Sequence, residues 1–271
     1  MSQPSDLRDN HFSIVSTILL RVVVVIGVVE LLIMLMFDAL KLTMHPNFEA
    51  MLDAVILGLV STPILYYWVV RPFVRQRDKA VEQVRHLAYH DELTSLGNRR
   101  LMMDALRRSE ARYHRYHTCY AVLLIDLDGF KKVNDEHGHE AGDAVLREVA
   151  YRIKEIMRVE DETCRLGGDE FVVIAQLGQE DEQSSRAKVD AIGGKLLHVL
   201  SQPVTFRHRV FHVGCSIGVA MMDGRVMSGL QLLGEADKAM YAAKQRGKGQ
   251  VVCYSNEVEG RDLSNVHVLR A

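Results

Sequence analysis

Acidic residues at two places in the chain are the strongest candidates for chemistry. Asp126 and Asp128 end a run of aliphatic residues, and Asp169 and Glu170 follow a pair of glycines. Carboxylates at the end of an aliphatic strand pack poorly but suit a hard cation such as Mg²⁺. If the two segments pair as strands, Asp126 and Asp169 meet, and two close carboxylates are unfavourable without a cation between them. We therefore expect a magnesium site, with manganese as a substitute, formed by Asp126, the Leu127 carbonyl and Asp169, rather than a solvated structural pair.

The glycine pair predicts a β-hairpin. Apolar runs over residues 163–166 and 170–175 flank Gly167 and Gly168, which is typical of two paired strands joined by a tight turn. Glycine adopts positive φ and lets the backbone approach a ligand closely, so a phosphate fits at this turn. Pleat alternation sends Asp169 and Glu170 to opposite faces of the strand, so at least one of them faces a site or solvent.

The composition limits the partners of the protein. The chain has 271 residues and a formal net charge of −2, which gives no argument for binding a nucleic-acid polymer. A polyanionic substrate must therefore be met by local positive charge. The four cysteines stand singly, without the spacing of a zinc site or a disulfide framework, and we expect reduced, buried thiols in a cytosolic domain.

Two apolar stretches near the start predict a membrane anchor. Residues 12–37 and 50–70 are each long enough to cross the bilayer as a helix, and the first lacks a cleavage site typical of a signal peptide. Aromatic residues 66–68 and a basic stretch, 71–79, follow the second span. Because positive flanks stay inside, we expect a multi-pass protein of the inner (cell) membrane, with both termini and the domain that follows the spans in the cytoplasm. The anchor would comprise residues 1–71, with the lipid bilayer as partner.

Ionisable residues interrupt these spans. Arg21, Glu30 and Asp53 either pair or sense a signal within a helical bundle, or Arg21 and Asp53 simply reach the nearby interface. Pro63 is expected to kink the second helix. Residues 72–89 predict a helical linker, and its two weak heptads suit a parallel dimeric stalk and a simple amphipathic connector equally well.

From residue 90 the pattern changes to alternating helices and strands. No glycine fingerprint of a dinucleotide fold is present, and a tight turn joins two of the strands. This favours an α+β domain over residues 90–256, with a mixed, mainly antiparallel sheet covered by helices. The tail, 257–271, is polar and expected to be loosely ordered. The predicted helices cover 101–116, 144–157, 180–201 and 228–245, and the further strands cover 120–128, 210–222 and 251–254.

Two motifs resemble the GGDEF family of diguanylate cyclases. The hairpin reads Gly167-Gly168-Asp169-Glu170-Phe171, the signature of that family, and Asp91 to Arg100 resembles the opening segment of its catalytic domain. The resemblance covers roughly residues 91–254. It implies a palm-like fold, as in nucleotidyl cyclases, and condensation of two GTP into cyclic di-GMP and two pyrophosphates. It also implies an active homodimer, because each monomer holds one GTP.

The resemblance also assigns the catalytic and guanine-binding positions. Asp169 matches the metal-binding residue and presumed base, and Glu170 the adjacent acid, although which of them accepts the proton stays open. For the guanine, Asp143 accepts protons from the base edge, Asn134 supplies an amide, and His139 lines the same pocket; a loop-capping role is the alternative for His139.

Three lysines match phosphate-binding positions. Lys131 follows Gly129 and Phe130, where the chain turns into a helix whose backbone N–H groups can hold phosphate oxygens. Lys244 and Lys248 stand near the end of a late helix, where they could instead only complement its C-terminus. The family has Gly-Arg-Asn where this chain has Gly247-Lys248-Gly249. A point charge replaces a forked guanidinium, so we expect weaker GTP binding.

Arg158 and Asp161 match the family's inhibitory Arg-x-x-Asp site. Five residues separate Asp161 from Gly167, and arginine can stack on guanine and fork a phosphate. This predicts inhibition by the product, cyclic di-GMP, with a surface ion pair at a helix end as the alternative.

Two other functions compete with cyclisation. One is a catalytically silent GGDEF module that binds GTP or cyclic di-GMP as a receptor. The other is a different cyclase using GTP or ATP, against which the guanine-type pair Asn134 and Asp143 argues.

Overall fold

The computed structural model describes residues 4–40, 46–179, 181–222, 227–255 and 268–270. It divides into two units, Met1–Val84 and Arg85–Ala271. The first consists of helices, and the second holds the sheet. Each is described separately below.

The first unit is a helical hairpin. Its elements are α1 (Pro4–Leu40), α2 (Pro46–Leu65), a π-helical turn (Tyr66–Val70) and most of α3 (Arg71–Tyr89). By length and composition alone, Ser16–Ala39 and Ala50–Tyr89 are apolar enough to cross a membrane. Many of their large apolar side chains are exposed, for example Leu20 and Leu59. Pro63 lies inside α2, shortly before the π-helical turn.

The second unit is built on a six-stranded sheet. Its strands are β1 (Cys119–Asp128), β2 (Glu162–Gly167), β3 (Glu170–Gly178), β6 (Gly214–Met221), β7 (Gln250–Cys253) and β8 (Val268–Arg270). The order is β2-β3-β1-β6-β7-β8, and among these pairs only β6 and β7 run parallel. A separate hairpin joins β4 (Val204–Phe206) to β5 (Arg209–Phe211), turning at Arg207 and His208 with positive φ. The mixed, mainly antiparallel sheet is confirmed.

Helices cover both faces of this sheet. They are α4 (Arg99–Tyr116), α5 (Phe130–His137), α6 (His139–Ile156), α7 (Glu182–Leu200) and α8 (Gly229–Gln245). Alternate residues of β1 enter different cores: Leu123 packs with residues of α6 and α7, and Leu124 with residues of α4 and α8. This is the strand periodicity of two expressed in packing. This arrangement of sheet and helices confirms the predicted palm-like α+β fold.

Two boundaries differ from those expected. Helix α6 begins at His139 rather than at residue 144, because Gly138 ends α5 with φ 82° and lets a new helix start at once. His139 and Asp143 therefore lie on a helix, not in a loop. In the tail, Val268–Arg270 forms a strand that pairs with β7. The expectation of a loosely ordered tail is therefore wrong for these three residues, of which Val268 is a residue type that favours strands. Residues 256–267 and 271 lie outside the described residues.

Candidate active site

The predicted acids meet where β1 pairs with β3. Asp126 lies opposite Glu170 in the register, and the Leu127 N–H donates to the Asp169 carbonyl oxygen at 3.3 Å. The two strands therefore bring Asp126, Leu127 and Asp169 to one end of the sheet, as their order along the chain predicted. Asp126 is 8% exposed, while Asp169 and Glu170 are half-buried.

The electrostatics around Asp126 favour a cation. Burial raises the pKa of Asp126, and the nearby charges of Asp169 and Asp128 raise it further, while the Lys244 ammonium lowers it; the net shift is upward. The Lys244 Nζ lies 2.6 Å from Asp126 Oδ2. Lys244 on α8 thus contacts the carboxylate predicted to hold the metal, and this contact was not expected for a phosphate-binding lysine.

The residues present fit a magnesium ion that also binds substrate. Within the described ranges, no group of three or more His, Cys, Asp or Glu side chains is arranged to hold a metal. Mg²⁺ in phosphoryl-transfer sites typically takes only one or two carboxylates and completes its shell with phosphates and water. The buried Asp126 carboxylate, already compensated by an ammonium group, and the neighbouring Asp169 match that requirement.

Arg165 holds the backbone of the glycine turn, residues 167–168, by hydrogen bonds. Gly167 and Gly168 have φ values of 142° and 56°, and a Cβ on either would meet open space. The Gly168 carbonyl accepts hydrogen bonds from Arg165 Nε and Nη2 at 3.1 and 2.8 Å. Arg165 Nη1 in turn donates to both carboxylate oxygens of Asp91. The glycine turn is therefore open to solvent, and its backbone is fixed by Arg165.

Asp91 is adapted to remain ionised. Burial raises the pKa of its carboxyl group, but hydrogen bonds from Thr94 and Arg165 and the charge of Arg165 outweigh burial, so the pKa is lowered. Thr94 donates through its backbone N–H and its hydroxyl, at 2.9 and 2.6 Å. The opening segment of the domain is thereby tied to the glycine turn.

The predicted guanine-binding residues share the hairpin of α5 and α6. Asn134 lies half-buried on α5, while His139 and Asp143 lie in the first two turns of α6. Gly142 packs directly on Asn134: a Cβ added there would lie 1.9 Å from Asn134 Oδ1. Asp143 Oδ2 lies 3.8 Å from Arg147. Close packing at Gly142 thus sets the Asn134 amide beside the helix that carries Asp143.

The start of α5 lies directly after β1. Gly129 is the N-terminal cap of α5, with φ 82°, Phe130 is buried, and Lys131 is exposed. The backbone N–H groups of a helix start favour an anion. Gly129, Phe130 and Lys131 therefore follow immediately on the strand end that carries Asp126.

Asp128 fixes the loop that follows α8. Its Oδ2 accepts a hydrogen bond from the Gly249 N–H at 3.1 Å, and both of its oxygens accept from the Ser216 hydroxyl at 3.0 Å. Three of the four residues between α8 and β7, Gly247, Lys248 and Gly249, have positive φ. This places the exposed Lys248 beyond the end of β1.

Arg158 and Asp161 line a second cleft, of about 330 Å³. Asp161 Oδ2 accepts the Arg158 N–H and its Oδ1 accepts the Gln176 N–H, both at 2.9 Å. The Arg158 guanidinium is exposed and lies 3.7 Å from Glu160. The ion pair expected as the alternative is therefore formed with Glu160, while Asp161 fixes the turn.

The sequence did not predict the positioning roles of three residues at this site. Arg165, Asp128 and Gly142 each position another residue rather than contacting a ligand. The available signals were weak: an arginine just before the glycine turn, a second acid at the end of β1, and a glycine at an inward-facing position of a helix. The roles of Arg165 and Asp128 depend on contacts distant in sequence, whereas Gly142 contacts Asn134 on the preceding helix.

Comparison with known proteins identifies the family. The family model for the diguanylate cyclase GGDEF domain matches residues 88–250. The bifunctional diguanylate cyclase/cyclic di-GMP phosphodiesterase MucR of Pseudomonas aeruginosa is 35% identical over 191 residues, which is 70% of this chain and 27% of MucR. The matched part of this chain spans only about a quarter of the length of three curated relatives. It belongs to the GGDEF family of diguanylate cyclase domains.

Solved structures agree. A mutant of TpbB (YfiN) from Pseudomonas aeruginosa comprising only the GGDEF domain is 32% identical, with a TM-score of 0.59, covering 63% of this chain and 97% of that one. The coiled coil and GGDEF domain of DgcB from Caulobacter crescentus, in complex with c-di-GMP, is 30% identical, with a TM-score of 0.59, covering 67% and 94%.

Proposed function

We propose that this protein is a membrane-anchored diguanylate cyclase that condenses two GTP into cyclic di-GMP and releases two pyrophosphates. The observation that carries the proposal is the meeting of Asp126 and Asp169 on adjoining strands, beside an open Gly-Gly turn. In each of two steps, a ribose 3′ oxygen bonds to the α-phosphorus of the other nucleotide, and the bond from that phosphorus to pyrophosphate breaks.

Asp126, Asp169 and the Leu127 carbonyl would hold a magnesium or manganese ion. When bound, that ion neutralises phosphate charge and favours ionisation of the attacking hydroxyl. Asp169 or Glu170 would receive the proton of the 3′ hydroxyl. Arg165 keeps the turn in position, so the reacting groups require little reorganisation.

The α5–α6 hairpin would select guanine. The Asp143 carboxylate accepts hydrogen bonds from the N1–H and the 2-amino group of guanine, and the Asn134 side-chain amide donates a hydrogen bond to guanine O6. His139 lies one helical turn before Asp143 and lines the same pocket. Adenine lacks the donor pattern that Asp143 requires, which supports GTP as the substrate.

Positive groups around the turn would hold the triphosphate. Lys131 at the start of α5 and Lys248 after α8 supply charge. The open backbone at Gly129 and Gly168, with the Phe130 N–H at the helix start, admits phosphate oxygens. Lys244 can reach either the phosphates or Asp126, so metal binding at Asp126 would release it toward substrate. Because Lys248 replaces a forked arginine, GTP binding is expected to be weaker than with arginine.

The active form would be a homodimer anchored in the inner membrane. One site of this kind holds one GTP, so the product requires two sites facing each other. Two apolar helices, with the basic residues 71–79 after the second, support a cytoplasmic catalytic domain. Cyclic di-GMP would also bind at the Arg158 cleft and inhibit the enzyme.

The test is product formation by the purified full chain with MgCl₂ and GTP, followed by chromatography. Wild type should form cyclic di-GMP and pyrophosphate, and ATP should not substitute for GTP. Asp169→Asn should lower turnover about 10²- to 10³-fold, as expected for loss of a central electrostatic group. Asp135→Asn, on the exposed side of α5, is the matched control and should be near wild type. Binding of cyclic di-GMP without any turnover would instead support the silent receptor.

A further inference from the structure

A basic pocket lies within the first unit, between α1 and the start of α3. It has a volume of about 480 Å³, within the range of small-molecule sites, ~300–1,000 Å³. Three cations line it: Arg21, Arg75 and Lys79. Apolar side chains, including Ile18, Val69 and Phe73, form another part of its wall.

Among the described residues, no carboxylate neutralises the three cations. No acidic side chain described in the structure lines the pocket, and no ion pair within that part of the chain joins Arg21, Arg75 or Lys79 to an acid. The nearest acid along α3, Asp78, pairs with Arg77 at 2.8 Å. Three positive charges around one cavity attract an anion with several oxygens, and a phosphate has that chemistry.

The pocket lies where a membrane boundary is expected. Arg21 is near the start of the first apolar stretch, Ser16–Ala39. Arg75 and Lys79 follow the aromatic residues 66–68, near the end of the apolar stretch 50–70. Basic pockets between membrane helices on the cytoplasmic side suit anionic lipid headgroups. A phospholipid also satisfies the apolar wall with its acyl chains, which a free phosphate does not.

We propose that this pocket binds the phosphate of an anionic phospholipid at the cytoplasmic face of the membrane. The inference rests on the proposed membrane anchoring. Arg21 would hold the headgroup from α1, and Arg75 and Lys79 would hold it from α3. The π-helical turn Tyr66–Val70, of a kind common at functional sites, contributes Val69 to the wall.

The same helix provides a matched control. Arg71 lies over the ring of Tyr67, at 5.2 Å from its centroid, and Arg77 pairs with Asp78; neither lines the pocket. The double variants Arg75→Gln/Lys79→Gln and Arg71→Gln/Arg77→Gln remove equal charge from one helix. They therefore separate a defined site from general attraction to an anionic surface.

The full chain should be extracted into detergent with phosphatidylglycerol and phosphatidylcholine, and the retained lipids counted by native mass spectrometry. Wild type and Arg71→Gln/Arg77→Gln should retain phosphatidylglycerol selectively. Arg75→Gln/Lys79→Gln should lose about fivefold in retention for each charge removed. Soluble glycerol 1-phosphate at millimolar concentration should not displace the lipid.

Equal retention in all variants, or equal loss in both double variants, would overturn the proposal. So would displacement by glycerol 1-phosphate, which would indicate a site for soluble phosphate. Alkaline extraction of membranes and GTP turnover are measured on the same samples. A chain that stays in the membrane and turns over GTP, but retains lipid equally in all variants, refutes the pocket alone; a chain released by alkali refutes the anchoring and the lipid site together.

Discussion

Arg165 donates two hydrogen bonds to Asp91 from one nitrogen: Nη1 lies 3.0 Å from Asp91 Oδ1 and 3.2 Å from Asp91 Oδ2. With its remaining nitrogens it holds the Gly168 carbonyl of the glycine turn. The two side chains are only 11% and 23% exposed. One guanidinium therefore connects the segment that opens the domain to the turn that presents Asp169.

Replacing Arg165 by Met should destabilise the domain and slow catalysis. Removing one partner of a largely buried pair leaves the Asp91 carboxylate uncompensated, at a cost of about 3 kcal/mol. The Gly168 carbonyl also loses its donors, so turnover should fall more than GTP affinity. Calorimetry and steady-state kinetics measure the two effects. The control is Arg108→Gln, which breaks an exposed pair with Glu162 and should cost less than about 1 kcal/mol.

The Asp91 carboxyl group should make stability depend on pH in the acid range. Its pKa is lowered in the folded state from the ordinary value of 3.8. Its contribution is therefore complete above that value and is lost as pH falls through the lower folded pKa. Thermal unfolding measured from pH 5 down to 2.5 should show a smaller loss for Asp91→Asn than for wild type. Parallel curves for the two proteins would contradict this assignment.

Gly142→Ala should impair nucleotide binding specifically. The added Cβ would lie 1.9 Å from Asn134 Oδ1, so the Asn134 amide must move away from its place. We expect KM for GTP to rise about tenfold, as for loss of a good hydrogen bond, and discrimination against ATP to fall. Gly234→Ala on α8 meets nothing within 4 Å; it should leave KM unchanged and stabilise by about 1 kcal/mol.

Lys244→Met should tighten metal binding in the absence of nucleotide. The ammonium lies 2.6 Å from Asp126 Oδ2, so it competes with a divalent cation for that oxygen. A close opposite charge shifts a carboxylate by one to three pKa units, so Mn²⁺ affinity should rise about tenfold or more. Electron paramagnetic resonance titration of Mn²⁺ measures this. Lys195→Met, at an exposed position of α7, should change nothing; unchanged affinity in Lys244→Met would exclude the competition.

Arg158→Ala should relieve inhibition by cyclic di-GMP. Only the exposed guanidinium is lost, because the Asp161 carboxylate bonds the backbone of residue 158. The inhibition constant should rise at least about tenfold, while initial turnover stays near wild type. Arg107→Ala, which removes an exposed arginine paired with Asp104, is the control. An unchanged inhibition constant in Arg158→Ala would exclude an inhibitory site at Arg158.

The fold and the meeting of Asp126 with Asp169 were predictable because local patterns determine them. The aliphatic run ending at Asp126 and the Gly-Gly turn before Asp169 predict two strands, and strand pairing alone brings their acids together. Contacts across many residues were not predictable. Arg165 and Asp91 are 74 residues apart, and Lys244 reaches Asp126 from α8. The restart of α6 at His139 depends on a single glycine.

The central claim is that Asp126 and Asp169 share a cation beside a bound guanine nucleotide. The most direct measurement is anomalous X-ray diffraction from crystals of the protein grown with Mn²⁺ and a non-hydrolysable GTP analogue. The account predicts an anomalous peak between the two carboxylates, in contact with the triphosphate. A nucleotide bound elsewhere, or Mn²⁺ bound away from Asp126 and Asp169, would contradict it.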